Sequence, residues 1–232
     1  MSSGRAFLRI AAGLFPILLF SIPAAGQTPS TEEELWWAVD GYFQLPSSLA
    51  LRVFGELREG EDFPFNQVNS GVGLDDKWKR ADWGENTYVV LGGAYEHRTT
   101  IQSGTSKHEN RFIVETTPRI ASPGGFRLDD RNRVEFRWVD GDYSTRYRNR
   151  LTVDHDLVVH DFRVAPYASA EAYYDGAQSS WTTARYSAGI KWPAKGRVIV
   201  DTYYLRQDCS TCSPRHVNVG GLTLSLYFGN EE

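Results

Sequence analysis

The stretch "RNRVEFRWVDGDYSTRYRNRLTVD", Arg131 to Asp154, alternates strictly on both sides of a short turn. Before the turn, Arg131, Arg133, Glu135 and Arg137 fall on one face and Val134, Phe136 and Trp138 on the other. After it, Arg146, Arg148, Arg150, Thr152 and Asp154 share a face opposite Tyr147, Leu151 and Val153. A period of two is that of a β-ribbon with two unlike surroundings. A soluble barrel and a membrane barrel both alternate, with opposite sense, so the contents of each face must decide. An Arg facing lipid at mid-membrane costs roughly 2–4 kcal/mol, so in a membrane wall the arginines would point inward, where carboxylates on neighbouring strands can pair with them.

The same pattern recurs along the chain. Arg52, Glu56 and Arg58 stand against Leu51, Val53 and Leu57, and Glu96 and Arg98 against Val89, Leu91 and Tyr95. Arg111, Glu115 and Arg119 stand against Phe112, Val114 and Ile120, and later segments add Glu171, Arg185 and Asp201 to the polar set. The expected lumen-lining charges are therefore Arg52, Glu56, Glu96, Arg98, Arg111, Glu115, Arg133, Glu135, Arg137, Arg148, Arg150, Glu171, Arg185 and Asp201. Three features favour the membrane sense over a solvated surface. The charged faces prefer Arg to Lys; the opposite face is in places as light as Ala168, Ala170 and Ala172; and Trp36, Trp37, Trp78, Trp138, Trp181, Trp192 and Tyr174 fall near segment ends, where an interfacial belt would lie.

Eleven period-two segments are predicted, at about 35–43, 48–58, 67–75, 87–98, 108–120, 126–139, 145–158, 162–174, 181–192, 196–207 and 216–228, and no helical periodicity follows residue 34. Lengths near ten suit tilted strands that cross a bilayer. Tight connections at 122–125, 160–161 and 193–196 contrast with longer ones at 59–66, 99–107 and 208–215, as in barrels with short turns at one end and long loops at the other. Bacterial single-chain barrels have even strand numbers, so the expectation is an all-β, antiparallel up-and-down transmembrane barrel of 10 or 12 strands.

The N-terminus carries Arg5 and Arg9, the apolar run "IAAGLFPILLF" and small residues before Gln27, the pattern of a cleavable signal peptide over 1–26, leaving one barrel domain over 27–232. Loss of the two arginines takes the formal net charge from −4 to −6, which argues against nucleic acid as a partner. Cys209 and Cys212, the only cysteines of an exported chain, are expected to pair as a disulfide. A lone CxxC supplies too few ligands for a structural zinc, and no cofactor motif is present, so neither metal nor cofactor is expected.

Taken in order, "LWWAVDGYFQLPSSLALRVFGELR", "YVVLGGAYEHR", "HENRF", "RNRVEFRW" with "TRYRNRL", "ARYSAGIKW", "VIVDTYYLRQ" and "LTLSLYF" resemble the bacterial outer-membrane barrels grouped as domain of unknown function 2490. The resemblance implies a barrel in the bacterial outer membrane, in contact with its lipid and with the assembly machinery, and brings no established activity. One departure concerns assembly: such barrels usually end on an aromatic residue, whereas Phe228 is followed by four more residues.

Three functions stay open at this point. The first is a small-solute channel whose Arg/Glu-lined lumen mildly prefers small anionic solutes. The second is a closed, plugged barrel acting in structure or through its loops. The third, less expected, is a lipid-modifying or hydrolytic barrel, for which His97 or His108 with Ser103 or Ser106 is the best constellation, although no GxSxG surrounds either serine. No catalytic residue is assigned, and His155, His160 and His216 read as turn or interfacial residues. A substitution pair tests the facing: Phe136→Arg is expected to impair insertion far more than Glu135→Gln.

Overall fold

A computed structural model describes residues 31–60, 65–80, 83, 87–102, 104–122, 124–160, 162–194 and 197–229. The expected signal peptide, and with it the start of the domain at residue 27, lies outside the described residues. Those residues form strands β1 (Thr31–Gln44), β2 (Leu49–Gly60), β3 (Gln67–Trp78), β4 (Tyr88–Gln102), β5 (Thr105–Ala121), β6 (Phe126–Val139), β7 (Asp142–His155), β8 (Leu157–Val159), β9 (Phe162–Asp175), β10 (Ser180–Ala194), β11 (Val198–Cys209) and β12 (His216–Phe228). No helix among the described residues is long and apolar enough to cross a membrane.

The fold is an all-β closed barrel. Each strand pairs antiparallel with the next from β1 to β7; β7 then pairs with β9, and β9 to β12 continue the meander. The three-residue β8 pairs with β9 alone and stands outside the wall. The ring closes where β1 meets β12 in parallel, from Thr31 opposite His216 to Phe43 opposite Phe228. The expectation of 10 or 12 antiparallel strands is thereby corrected: the described wall has eleven strands, and an odd number closes only if one pair runs parallel. Eleven strands leave the two ends of the wall on opposite rims, Thr31 at one and Phe228 at the other. Segment 145–158 also divides, at Asp156, into β7 and the separate β8.

The opening stretch is the β6–β7 hairpin. Asp140 and Gly141 both have positive φ, 49° and 100°, the conformation of the two-residue turn whose twist matches the flanking strands. This turn lies on what we call the first rim, with the connections 61–66, 103–104, 176–179 and 210–215; the second rim carries 45–48, 79–87, 122–125, 156–161 and 195–197. The expected long loop at 99–107 is mostly strand, because β4 and β5 stay paired as far as Gln102 and Thr105. The longest connection, 79–87, shares the second rim with the tight turns, so loop length does not distinguish the two rims.

Alternation sorts the faces. The outer surface exposes Leu35, Val39, Val53, Val72, Leu91, Phe112, Val114, Val134, Leu151 and Val153, an apolar band spread over strands β1 to β7. The inner face divides in two. Behind the seam, Trp36, Leu205, Val217 and Val219 form an apolar cluster backed by Tyr203, whose ring lies over Gly221, where an added Cβ would come within 2.0 Å of it. Behind β5, β6 and β7 the buried side chains are, Ile113 apart, mostly charged: Glu109, Arg111, Arg133, Glu135 and Arg148.

Candidate functional site

Charged strand faces turned inward enclose an interior cavity of about 800 Å³. Arg52, Glu56, Glu96, Arg98, Arg111, Glu115, Arg133, Arg148, Arg150, Glu171, Arg185 and Asp201 line it. Glu135 and Arg137 lie on the same inner face but outside the lining. Glu135 is fully buried among arginines, and Arg137 pairs with Glu109 and Asp175 nearer the first rim. Arg119, Arg131, Arg146 and Asp154, which alternation puts on the polar strand faces, line the cavity too, and so do Asp75, Arg127 and Asp129, which the sequence reading did not place. Period two was the signal for all of them; those near strand ends were lost because strand ends were uncertain.

The charges are knitted into one lattice. Arg111 donates to both oxygens of Glu109, at 2.6 and 2.8 Å, and reaches Glu96 at 3.3 Å. Arg148 donates to Glu135 at 2.8 Å and, through Nε and Nη2, to Glu171 at 3.1 and 2.9 Å. Glu135 also has Arg111, Arg133 and Arg146 at 3.8 to 4.0 Å. Glu115 joins Arg133, at 2.7 Å, to Arg52, at 3.3 Å. Such forks suit Arg, whose planar guanidinium serves two carboxylates in fixed geometry. The lattice also leans on the apolar half: the guanidinium groups of Arg58 and Arg185 sit 3.6 and 4.9 Å from the Trp36 ring centre.

The two ends of the interior differ. Toward the first rim, Gln67, Glu109, Asp175, Val217 and Val219 are buried and do not line the cavity. Toward the second rim the lining extends through Arg119, Asp129, Arg127, Asp156, Tyr42 and Tyr227. The interior is therefore a cup, closed below by Trp36, Arg111, Glu135 and Val219, each at most 4% exposed. Its lining holds more basic than acidic residues, 13 against 10. Arg150 stands directly across the sheet from Arg131, and the Nε atoms of both are buried without an acceptor among the described residues.

Cys209, the last residue of β11, forms a disulfide with Cys212 of the 210–215 connection. Its neighbour Ser210 donates from backbone N–H (2.9 Å) and hydroxyl (3.2 Å) to the Thr182 carbonyl, at the bulge that interrupts β10 between Trp181 and Thr183. Among the described residues no group of His, Cys, Asp and Glu is arranged to hold a metal ion. His155 contacts the Gly125 carbonyl at 3.0 Å, and His216 contacts Asp208 at 2.7 Å. Ser103 lies outside the described residues. Ser106 sits opposite Ile101 on the β4–β5 hairpin, beyond the level of His97 and His108.

A family model described as "Protein of unknown function (DUF2490)" matches residues 81–216. No curated protein matches the chain. Among solved structures, the siderophore receptor PirA from Pseudomonas aeruginosa is 13% identical with a TM-score of 0.33, over 73% of this chain and 32% of that one; the chain thus spans about a third of the receptor's length.

Proposed function

The chain belongs to the DUF2490 family of proteins of unknown function, and on that footing we propose that it is a plugged bacterial outer-membrane barrel rather than an open diffusion channel. The observation that carries this reading is the floor of the cup. Arg111, Glu135, Trp36 and Val219 close the first-rim end with side chains that are nearly all ion-paired or packed, as in narrow barrels filled from within. An ion that crossed this layer would have to separate charge pairs in a water-poor interior, where each carboxylate holds two or more guanidinium groups. The membrane location rests on the outer apolar band, far larger than a soluble monomer exposes, together with the inward turn of the arginines. Lipid covers that band, and the bacterial assembly machinery inserts the barrel, reading the aromatic end of β12 that stacks Phe228 on Phe43. Residues 1–26 direct export and are then removed.

A second reading concerns the cup: its excess of guanidinium groups, and the facing pair Arg131 and Arg150, favour a small anionic solute entering from the second rim. Single-channel recording of the refolded mature protein in a planar bilayer tests the proposal. Inserted protein, identified by heat-modifiable mobility, is expected to pass no discrete current steps. Steps with an anion-leaning reversal potential would replace the plugged barrel with an Arg-lined channel.

A further inference from the structure

The outer face of the barrel carries several polar clusters among the described residues, such as Tyr147 with Asn132 and Asn149, and one of them sets a hydroxyl beside an imidazole. His97 and Thr99 are two residues apart on β4, on the face opposite the cavity-lining Glu96 and Arg98, and Asn110 on β5 lies directly across the sheet from His97. His97 Nδ1 is 2.8 Å from Asn110 Oδ1, which also accepts from the Tyr95 hydroxyl at 2.7 Å. An amide oxygen only accepts, so Nδ1 carries the proton and Nε2 is left as a base. The Thr99 hydroxyl stands 3.4 Å from that Nε2. On its other side it is 3.2 Å from His108 Nδ1, and the His108 backbone N–H is fixed by Asp140 at 2.9 Å. A hydroxyl, a base and a group that orients the base, in hydrogen-bond sequence, are the parts of an activated nucleophile.

Position identifies the substrate class. His97, Asn110, Trp138 and Tyr143 form one cross-strand row on the outer face, and the Trp138 and Tyr143 rings are 5.3 Å apart. The next row toward mid-barrel is Tyr95, Phe112 and Phe136. The constellation thus lies in an aromatic belt between the apolar band and the first rim, the depth of lipid headgroups and their ester carbonyls.

We propose that Thr99, His97 and Asn110 form a hydrolytic site for acyl esters of membrane lipids, an activity that rests on the membrane reading above. Thr99 Oγ attacks the ester carbonyl while its proton passes to His97 Nε2. The ester C–O bond breaks, and the leaving alcohol takes that proton. Water then attacks the acyl-threonine, giving its proton to His97, and the fatty acid departs as the threonine hydroxyl is restored. Asn110 is a positioning residue that holds the imidazole in the required tautomer.

The full mature protein, refolded into phosphatidylethanolamine vesicles, is assayed for fatty-acid release and, in detergent, for hydrolysis of p-nitrophenyl butyrate. Thr99→Val is expected to abolish both activities, Thr99→Ser to keep them, and His97→Gln to lower kcat about a hundredfold or more. Asn110→Ala should lower kcat with KM little changed, and Asn110→Asp should restore much of it. His216→Gln, remote from the site, is the control. A fluorophosphonate should add its mass at Thr99, with loss of fluoride, and should not do so in Thr99→Val. Inserted, heat-modifiable protein that releases neither product, or a Thr99→Val variant with undiminished activity, overturns the site and leaves the barrel reading standing. Hydrolysis of p-nitrophenyl butyrate by a protein that fails to insert would instead overturn the membrane reading and the lipid substrate with it.

Discussion

The β6–β7 hairpin and the β1–β12 seam are both strand pairs of one barrel wall, yet almost nothing about them is alike. The hairpin joins neighbours in sequence through Asp140 and Gly141, pairs antiparallel, and presents ion pairs to the interior. The seam joins the two ends of the described wall, pairs parallel, and presents Trp36, Val217 and Val219. Toward the second rim its grip is aromatic on both faces, with Tyr42 stacked on Tyr227 at 4.9 Å inside and Phe43 on Phe228 at 4.7 Å outside. The difference teaches that the interior has an ionic half, dense in obligatory partners, and an apolar half that joins strands with no turn between them.

The sharpest way to break the comparison is at Glu135, which is fully buried among four arginines. Glu135→Ala leaves those guanidinium groups uncompensated and is expected to cost about 3–5 kcal/mol in denaturant unfolding of the membrane-inserted protein. A loss below about 1 kcal/mol would show the lattice to be hydrated and loosely paired. Phe136→Arg, on the outer face of the same strand and one row inside the Trp138–Tyr143 pair, should cost less than the roughly 2–4 kcal/mol of a mid-membrane arginine. The two residues are therefore poor contrasts for each other. Glu135→Gln is a mild change only for a charge in a hydrated lumen, whereas Glu135 is fully buried against four guanidinium groups. Glu56, with 23% of its side chain exposed, is the better inner-face control.

At the seam, Trp36→Phe keeps the apolar filling and removes the better cation–π surface for Arg58 and Arg185, so a loss of about 1–2 kcal/mol is expected in the same unfolding measurement. Equal losses for Trp36→Phe and Trp36→Ala would mean that the cations, not packing, hold this half. The smallest effect belongs to the second rim. Arg127 donates to Asp156 at 2.6 and 2.8 Å and holds its carboxyl below the usual carboxylate range. A depressed folded pKa gives stability above the unfolded value of about 3.9, lost as pH falls through the folded value. Because Asp156 is largely solvent-exposed, Asp156→Asn should change stability by less than about 1 kcal/mol at neutral pH and flatten the acid limb of the unfolding profile below about pH 4.

Period two alone was enough to read the barrel and the direction in which Arg133, Arg148 or Glu171 points, because each residue along a strand reverses face. The pairing of Cys209 with Cys212 was also legible, since the chain offers no other cysteine. The outer constellation was only half legible. The sequence points to His97 and His108 but offers Ser103 and Ser106, the serines between them, as their partners, because which residue lies across the sheet from His97 depends on strand register. Asn110 and Thr99 emerge as its partners only once Gln102 and Thr105 are known to close the hairpin.

What the sequence by itself determined was thus local: strand, face, turn and the sign of charge on each face, all set within a few residues by stereochemistry and by the cost of misplacing a charge. Strand number, parallel closure and a floor across the cup were decided by the tertiary structure. Each depends on which strands meet after the sheet has curled round on itself, and no short-range pattern encodes the partner of a strand whose neighbour lies at the far end of the chain. Whether the arginines line an open lumen or fill it is likewise a matter of how far apart opposite walls stand once eleven strands have closed.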